Sequence, residues 1–169
     1  MSRSGYSDDY DVDGTGGLWR GAVMRSIRGK RGQAALQQLA IAMDVMPVRK
    51  LAAKSLVTTN GDFCTLGVLG NARGLDMSKI DPYDSDAVSA AFNIAPAMAC
   101  EIAYLNDESI GSHSWERVEI CGPMRKYENH ARLVNVPREG TAEMRWQYMR
   151  KWVAESIIST GSCAEGRAA

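Results

Sequence analysis

The chain holds 169 residues, with 20 Lys and Arg against 20 Asp and Glu, four cysteines, two histidines and 45% hydrophobic residues. That length buries a core without covalent staples, and the apolar share excludes a wholly disordered chain. No apolar run reaches the ~18 residues of a membrane-spanning helix. Zero formal net charge excludes a globally basic nucleic-acid binder or a strongly acidic mimic, unless charge is segregated along the chain.

Charge is segregated. Residues 1–19 carry −3, residues 20–54 carry +7 from eight basic residues and one Asp, residues 55–111 carry −6, and residues 112–169 carry +2. Neighbouring blocks of opposite sign are expected to pair with each other in the fold. The competing reading is a dipolar surface that steers a charged partner.

In chain order, residues 1–16 (MSRSGYSDDYDVDGTG) are rich in Gly, Ser and Asp, hold no apolar secretory core, and predict a flexible acidic arm. Leu18, Trp19, Ala22, Val23 and Ile27 form a helical stripe ending near Arg28, before the break Arg28-Gly29-Lys30-Arg31-Gly32. A second helix starts at Gln33, with Leu36, Leu39, Ala40, Met43 and Met46 at helical spacing, and stops at Pro47. Residues 48–57 read as a short helix or an extended piece. Asn60-Gly61-Asp62 is a turn, with Asp62 placed to cap a third helix from Phe63 to Ala72 and Gly74 just past its end. Gly67 and Gly70 inside that helix each cost about 1 kcal/mol against alanine, so they predict close approach of another backbone.

An acidic connector, residues 75–85, leads to a short helix capped by Asp84 or Ser85. Pro96 opens the next helix, whose inward face is Met98, Ala99, Ile102 and Leu105, and Asn106–Ser114 reads as a polar loop. Trp115–Cys121 and Arg132–Val136 are β-prone and flank Gly122-Pro123 and a basic loop with Arg125, Lys126 and Tyr127. Thr141 caps a last helix to about Ile158, with Met149, Trp152, Val153 and Ile157 inward, and residues 159–169 read as a tail. The reading is a mainly α chain: a single compact domain of five or six short helices over residues 17–158, with a small hairpin near residues 115–136.

Residues 86–106 carry the apolar spacing of a helix-turn-helix, with Asn93 suited to a left-handed turn. The outward positions Ala95, Pro96, Ala97, Cys100 and Glu101 offer no donors to base edges, and no Lys or Arg stands between Lys79 and Arg117. A DNA-binding regulator built on this element is therefore the second reading. The segment with Arg20, Arg25, Arg28, Lys30 and Arg31 is the better anion or nucleic-acid surface, its glycines at 29 and 32 able to expose backbone N–H groups to a phosphate. It has no nucleotide-loop spacing.

Cys64, Cys100, Cys121 and Cys163 form no CxxC pair, and disulfides are not expected. A third reading is a small enzyme with a zinc site from His113, Cys121 and His130, or a Cys121 nucleophile with His130 as base, but no spacing supports either. The acidic pairs Asp81/Asp84 and Asp107/Glu108 read as loop acids. Trp146, with Tyr148 and Arg145, reads as a partner surface because Trp and Arg anchor interfaces, while Trp152 joins the inward stripe. No cofactor motif is present.

The stretches SRSGYSDD, WRGAVMRSIRGKRGQAALQQL, MDVMPVRKL, NARGLDMSKIDPYD, WERVEICGP and MRWQYMRKWVAESI together resemble a family of small bacteriophage and prophage proteins. That family has no established activity or catalytic motif, so the resemblance carries no functional residues. It implies a mobile-element origin, action in the cytoplasm of a bacterial host, and an accessory or host-interaction role such as interference with a defence system. The combined expectation is a non-enzymatic protein, without cofactor or membrane contact, that binds a host or phage protein. Its contact residues would be Arg20, Arg25, Arg28, Lys30, Arg31, Arg125, Lys126, Tyr127 and Trp146, and the basic segment also suits nucleic acid.

Overall fold

Apolar residues three and four apart organise most of the chain into helices that share a buried face. In a computed structural model, which describes residues 2–6, 16–119 and 131–159, these are α1 (Gly16–Arg28), α2 (Lys30–Asp44), α3 (Thr65–Ala72), α4 (Ser85–Ala91), α5 (Pro96–Asp107) and α6 (Thr141–Ser156). Strands β1 (His113–Glu119) and β2 (Ala131–Pro137) pair antiparallel, from His113 opposite Pro137 to Glu119 opposite Ala131. The protein is thus mainly α with a small two-stranded sheet. Among the described residues no single helix is long and apolar enough to cross a membrane.

The break between the first two helices is a single residue. Gly29 is extended, and Lys30–Gly32 already form the first turn of α2, three residues before the expected start at Gln33. Gly32 is buried where α1 and α2 cross. A Cβ there would lie 2.1 Å from the Ser26 carbonyl oxygen, so the sequence break marks a helix crossing, and Gly32 serves it.

Residues 48–57 are not helical. The Ala52 N–H donates to the Phe63 carbonyl at 2.8 Å, the Cys64 N–H donates to the Leu56 carbonyl at 3.1 Å, and Val57 bridges Phe63. Asp62 is therefore engaged in a hairpin-like loop and does not cap α3. Cys64 takes that position, its thiol accepting the Gly67 N–H at 3.4 Å. The expected close approach of another backbone is present at Gly67, where a Cβ would sit 2.0 Å from the Leu56 carbonyl oxygen. Gly70 instead makes room for side chains, a Cβ there lying 2.6 Å from Met77 Sδ and 3.0 Å from the Phe92 ring.

Asp84 caps α4 by accepting the N–H groups of Asp86 and Ala87, and Asn93 takes φ +45 at the turn into α5. Helix α5 packs against α1, α3, α4 and α6. Its stripe of Met98, Ala99, Ile102 and Leu105 joins Leu36, Leu39 and Met43 of α2, Leu69 of α3, Phe92, and Met149 and Val153 of α6 in the core. Full burial of an aliphatic or aromatic side chain contributes about 1.5–3 kcal/mol. That burial holds a seven-residue helix such as α4, which would not persist in isolation.

The hairpin contributes nothing comparable. Trp115 lies opposite Asn135 and Arg117 opposite Leu133, so neither face is continuously apolar, and Trp115 and Leu133 remain 69% and 62% exposed. At α6 the N-cap is Gly140 in the left-handed region, with Thr141 as the first helical residue.

Two expectations are corrected by burial. The expected arm is docked over residues 2–6, where Arg3 and Ser4 are buried, while residues 7–15 of it and residues 160–169 of the expected tail lie outside the described residues. The region after Leu105 is not all loop, because α5 continues through Asp107 and Asn106 is fully buried.

Candidate functional site

Helix α1 presents two faces. Val23 and Ile27 enter the core, while Arg20, Met24 and Arg28, four residues apart, run as a stripe along the lip of a groove of about 830 Å³. Trp19 of α1, Tyr104 of α5, Trp152 of α6 and Tyr6 of the docked arm supply its aromatic walls. The Tyr6 ring meets Trp19 edge-on at 5.6 Å and lies 5.0 Å from the Tyr104 ring. Its hydroxyl donates to Glu101 Oε2 at 2.5 Å, and burial together with that bond pushes the phenol pKa well up. Glu101, Glu108 and Glu155 line the groove together with Arg20 and Arg28.

Around the corner, Arg25, Lys30 and Arg31 extend the positive surface. All five cations of the segment 20–31 are exposed, and none forms an ion pair among the described residues. Arg31 Nη1 donates to the Asn93 side-chain oxygen at 3.5 Å. The first turn of α2 has no side-chain cap and no acidic residue, so the positive end of its dipole adds to the same potential.

The ion pairs lie elsewhere. Arg150 grips Asp44 with two bonds of 2.7 Å, joining α6 to α2, and Lys50 meets Glu143 at 2.9 Å. Lys79 pairs with Asp76 and Lys151 with Glu155 within their own turns. No ion pair among the described residues joins the block 20–54 to the block 55–111, which corrects the expected internal cancellation. The cationic segment faces outward because α1 and α2 bury their apolar stripes against α5, α3 and α6, leaving the polar sides without another helix over them among the described residues.

At the C-terminal end of α5 lies a buried polar cluster. Arg3 Nε and Nη2 donate to the two Asp107 oxygens at 2.7 and 2.9 Å. Burial raises the Asp107 carboxyl pKa, but the Arg3 hydrogen bond, the Lys54 backbone N–H and the Arg3 charge outweigh it and hold the group below the usual carboxylate range. Asn106 Oδ1 accepts from the Thr65 N–H at 3.0 Å and the Thr65 hydroxyl at 2.7 Å, while Nδ2 donates to the Ala52 carbonyl and to Asp107. Arg145 donates to the carbonyls of Asn106 at 2.6 Å and Leu51 at 2.7 Å. Burial lowers its pKa, opposed by the Asp107 carboxylate.

The remaining expected sites are not brought together. Arg125, Lys126, Tyr127, Cys121 and His130 lie outside the described residues, and His113 sits on exposed β1 beside the Ser112 hydroxyl. Trp146 is 9% exposed and belongs to the core, with the Arg49 guanidinium 5.0 Å over its ring, and Arg145 is buried beside it. Neither forms a partner surface, because the register of α6 turns both inward with Met149 and Val153 and leaves Trp152 at the groove.

The α4–α5 pair meets at 106°, as a helix-turn-helix would, but α5 packs against α1, α3, α4 and α6, and among its residues only Pro96 is exposed, which leaves little to enter a major groove. Gly29 and Gly32 do not cradle an anion: the Gly29 N–H is bonded to the Arg25 carbonyl, and Gly32 serves the helix crossing. Among the described residues no group of three or more His, Cys, Asp or Glu side chains is placed to hold a metal ion.

Sequence reasoning missed the aromatic groove and the buried cluster. A tyrosine in a polar arm and an Asn-Asp pair at a helix end carry no local mark of burial. Compared with known proteins, the chain matches no protein-family model, no curated protein and no solved structure.

Proposed function

We propose that this chain is a non-enzymatic binding protein of bacteriophage or prophage type, a single helical domain acting in a bacterial cytoplasm. Its cationic rim docks on an acidic surface of a host or phage protein. The observation that carries this reading is the set of five exposed cations, Arg20, Arg25, Arg28, Lys30 and Arg31, without ion-pair partners among the described residues and set beside an aromatic groove. Unpaired charge of one sign steers an oppositely charged partner, and aromatic walls beside it supply anchoring area. The mobile-element origin rests on the resemblance of the quoted stretches, and interference with host defence is the role that resemblance suggests.

A protein partner is favoured over nucleic acid because Glu101, Glu108 and Glu155 share the groove with Arg20 and Arg28. A phosphate backbone tracking the rim meets those carboxylates, whereas a protein surface of mixed charge complements them. The test is quantitative capture from bacterial lysate with the unaltered chain and with Arg25→Glu, Arg28→Glu, Arg31→Glu combined. Loss of the main recovered protein in the reversed chain, and weakening of its capture by added salt, are the expected results. Unchanged recovery refutes the assignment of the surface. A DNA gel shift at low salt, abolished by the same reversal, would reassign the rim to nucleic acid.

A further inference from the structure

Residues 2–6 are held to the body as a ligand is held. The Ser4 and Tyr6 backbone N–H groups donate to the Ser2 and Ser4 hydroxyls, and the Gly5 N–H donates to the Ser2 carbonyl, so the segment closes its own turns. Its hydrogen bonds to the body are made by side chains. Arg3 enters a slot between the N-terminal end of α3, the loop at Lys54 and the C-terminal end of α5. Ser2 and Ser4 donate to Glu108, and Tyr6 donates to Glu101.

The slot has the features of an arginine receptor. Asp107 receives the guanidinium through two parallel bonds, the geometry that distinguishes arginine from lysine. The third nitrogen, Nη1, lies 3.8 Å from Cys64 Sγ. Asp107 is also oriented by groups outside the segment, the Lys54 N–H at 3.0 Å and Asn106 Nδ2 at 2.7 Å, so its carboxylate is aimed whether or not Arg3 is present. The Arg3 and Asp107 side chains are only 2% and 5% exposed, which makes the pair a buried recognition contact.

We propose that this slot is a binding site for a short arginine-centred peptide flanked by small hydroxyl residues, and that residues 2–6 fill it in cis as a displaceable strap. A competing segment that enters the slot also withdraws Tyr6 from between Trp19 and Tyr104, which deepens the groove beside the cationic rim. The inference stands on the Arg3–Asp107 geometry and does not depend on the identity of the partner proposed above.

The test uses the full chain carrying Arg3→Ala, titrated calorimetrically with the acetylated peptide Ser-Arg-Ser-Gly-Tyr. In the unaltered chain the tethered strap competes at an effective concentration on the order of millimolar. The peptide is therefore expected to bind the variant at least tenfold more tightly than the unaltered chain. A peptide with lysine in place of arginine is expected to bind the variant at least tenfold more weakly. A folded variant that binds neither peptide, or binds both equally, overturns the proposal. Should Arg3→Ala lower the melting temperature too far for titration, millimolar methylguanidinium, and not methylammonium, is expected to raise it again. No such recovery also overturns the proposal, because the arm would then be an inseparable part of the core.

Discussion

Replacing Asn106 with leucine isolates the contribution of the buried polar cluster. The Asn106 amide is fully buried and uses its whole capacity, two bonds accepted and two donated. Leucine has similar bulk and no polar atoms, so it strands the Thr65 N–H, the Thr65 hydroxyl and the Ala52 carbonyl. A buried polar group left without a partner costs about 1–3 kcal/mol. The hydroxyl can rotate and the carbonyl is partly buried, so the three together cost about 3–5 kcal/mol, against the ~5–15 kcal/mol of a typical domain. Urea unfolding followed by tryptophan fluorescence and circular dichroism reads this as a lower midpoint at unchanged slope. A loss below about 1 kcal/mol would refute the view that these bonds hold α3 and the 52–64 loop onto α5.

Asn106→Asp separates the electrostatic part. It keeps acceptors for Thr65 but sets a second carboxylate beside Asp107, whose repulsion raises the pKa of the pair in the folded state. The folded protein then binds a proton more readily than the unfolded one, so this variant gains stability as pH falls from 7 toward about 5. Stability that is flat over that interval would show that Arg3 and Arg145 neutralise both carboxylates.

The unaltered protein has the opposite dependence. Asp107 is held below the usual carboxylate range, so its contribution is full above about pH 4 and is lost as pH falls through its folded value. Arg3→Ala removes much of that slope in an acid titration followed by circular dichroism. At Gly67, alanine places a Cβ 2.0 Å from the Leu56 carbonyl oxygen, and a backbone atom cannot swing aside as a side chain would. Gly67→Ala is expected to cost about 2 kcal/mol or more, read as a drop in melting temperature, and an unchanged melting temperature would refute the close approach.

Much of the helical framework is legible locally. The Asp84 cap, the left-handed Asn93 and Pro96 in the first turn of α5 all depend on residues within a few positions of one another or on the backbone itself, whereas what crowds Gly67 and Gly70 (Leu56, Met77 and Phe92) is set by tertiary packing. Local reading failed where two local signals competed. Asp62 has the chemistry of a cap, yet the hairpin-like pairing of Leu56 and Val57 with Phe63 and Cys64 engages that loop and passes the cap to Cys64. Trp146 and Trp152 both fit an apolar stripe on α6, and only the direction in which α2 and α5 pack selects Trp146 for the core.

The charge pattern shows the division most clearly. The sequence alone determined that a strongly basic block precedes a strongly acidic one, because charge is counted along the chain. Whether those blocks cancel is a question of distance, and the tertiary structure decided it. Asp107 turns inward to Arg3, 104 residues away, Lys50 goes to Glu143 of α6, and the cations of residues 20–31 stay in solvent. Burial of apolar stripes sets which helix faces meet, and ion pairs form only where that packing brings charges within a few ångströms. Residues 2–6, read as part of a loose polar arm, thereby became a docked segment, and a balanced composition became an exposed cationic rim.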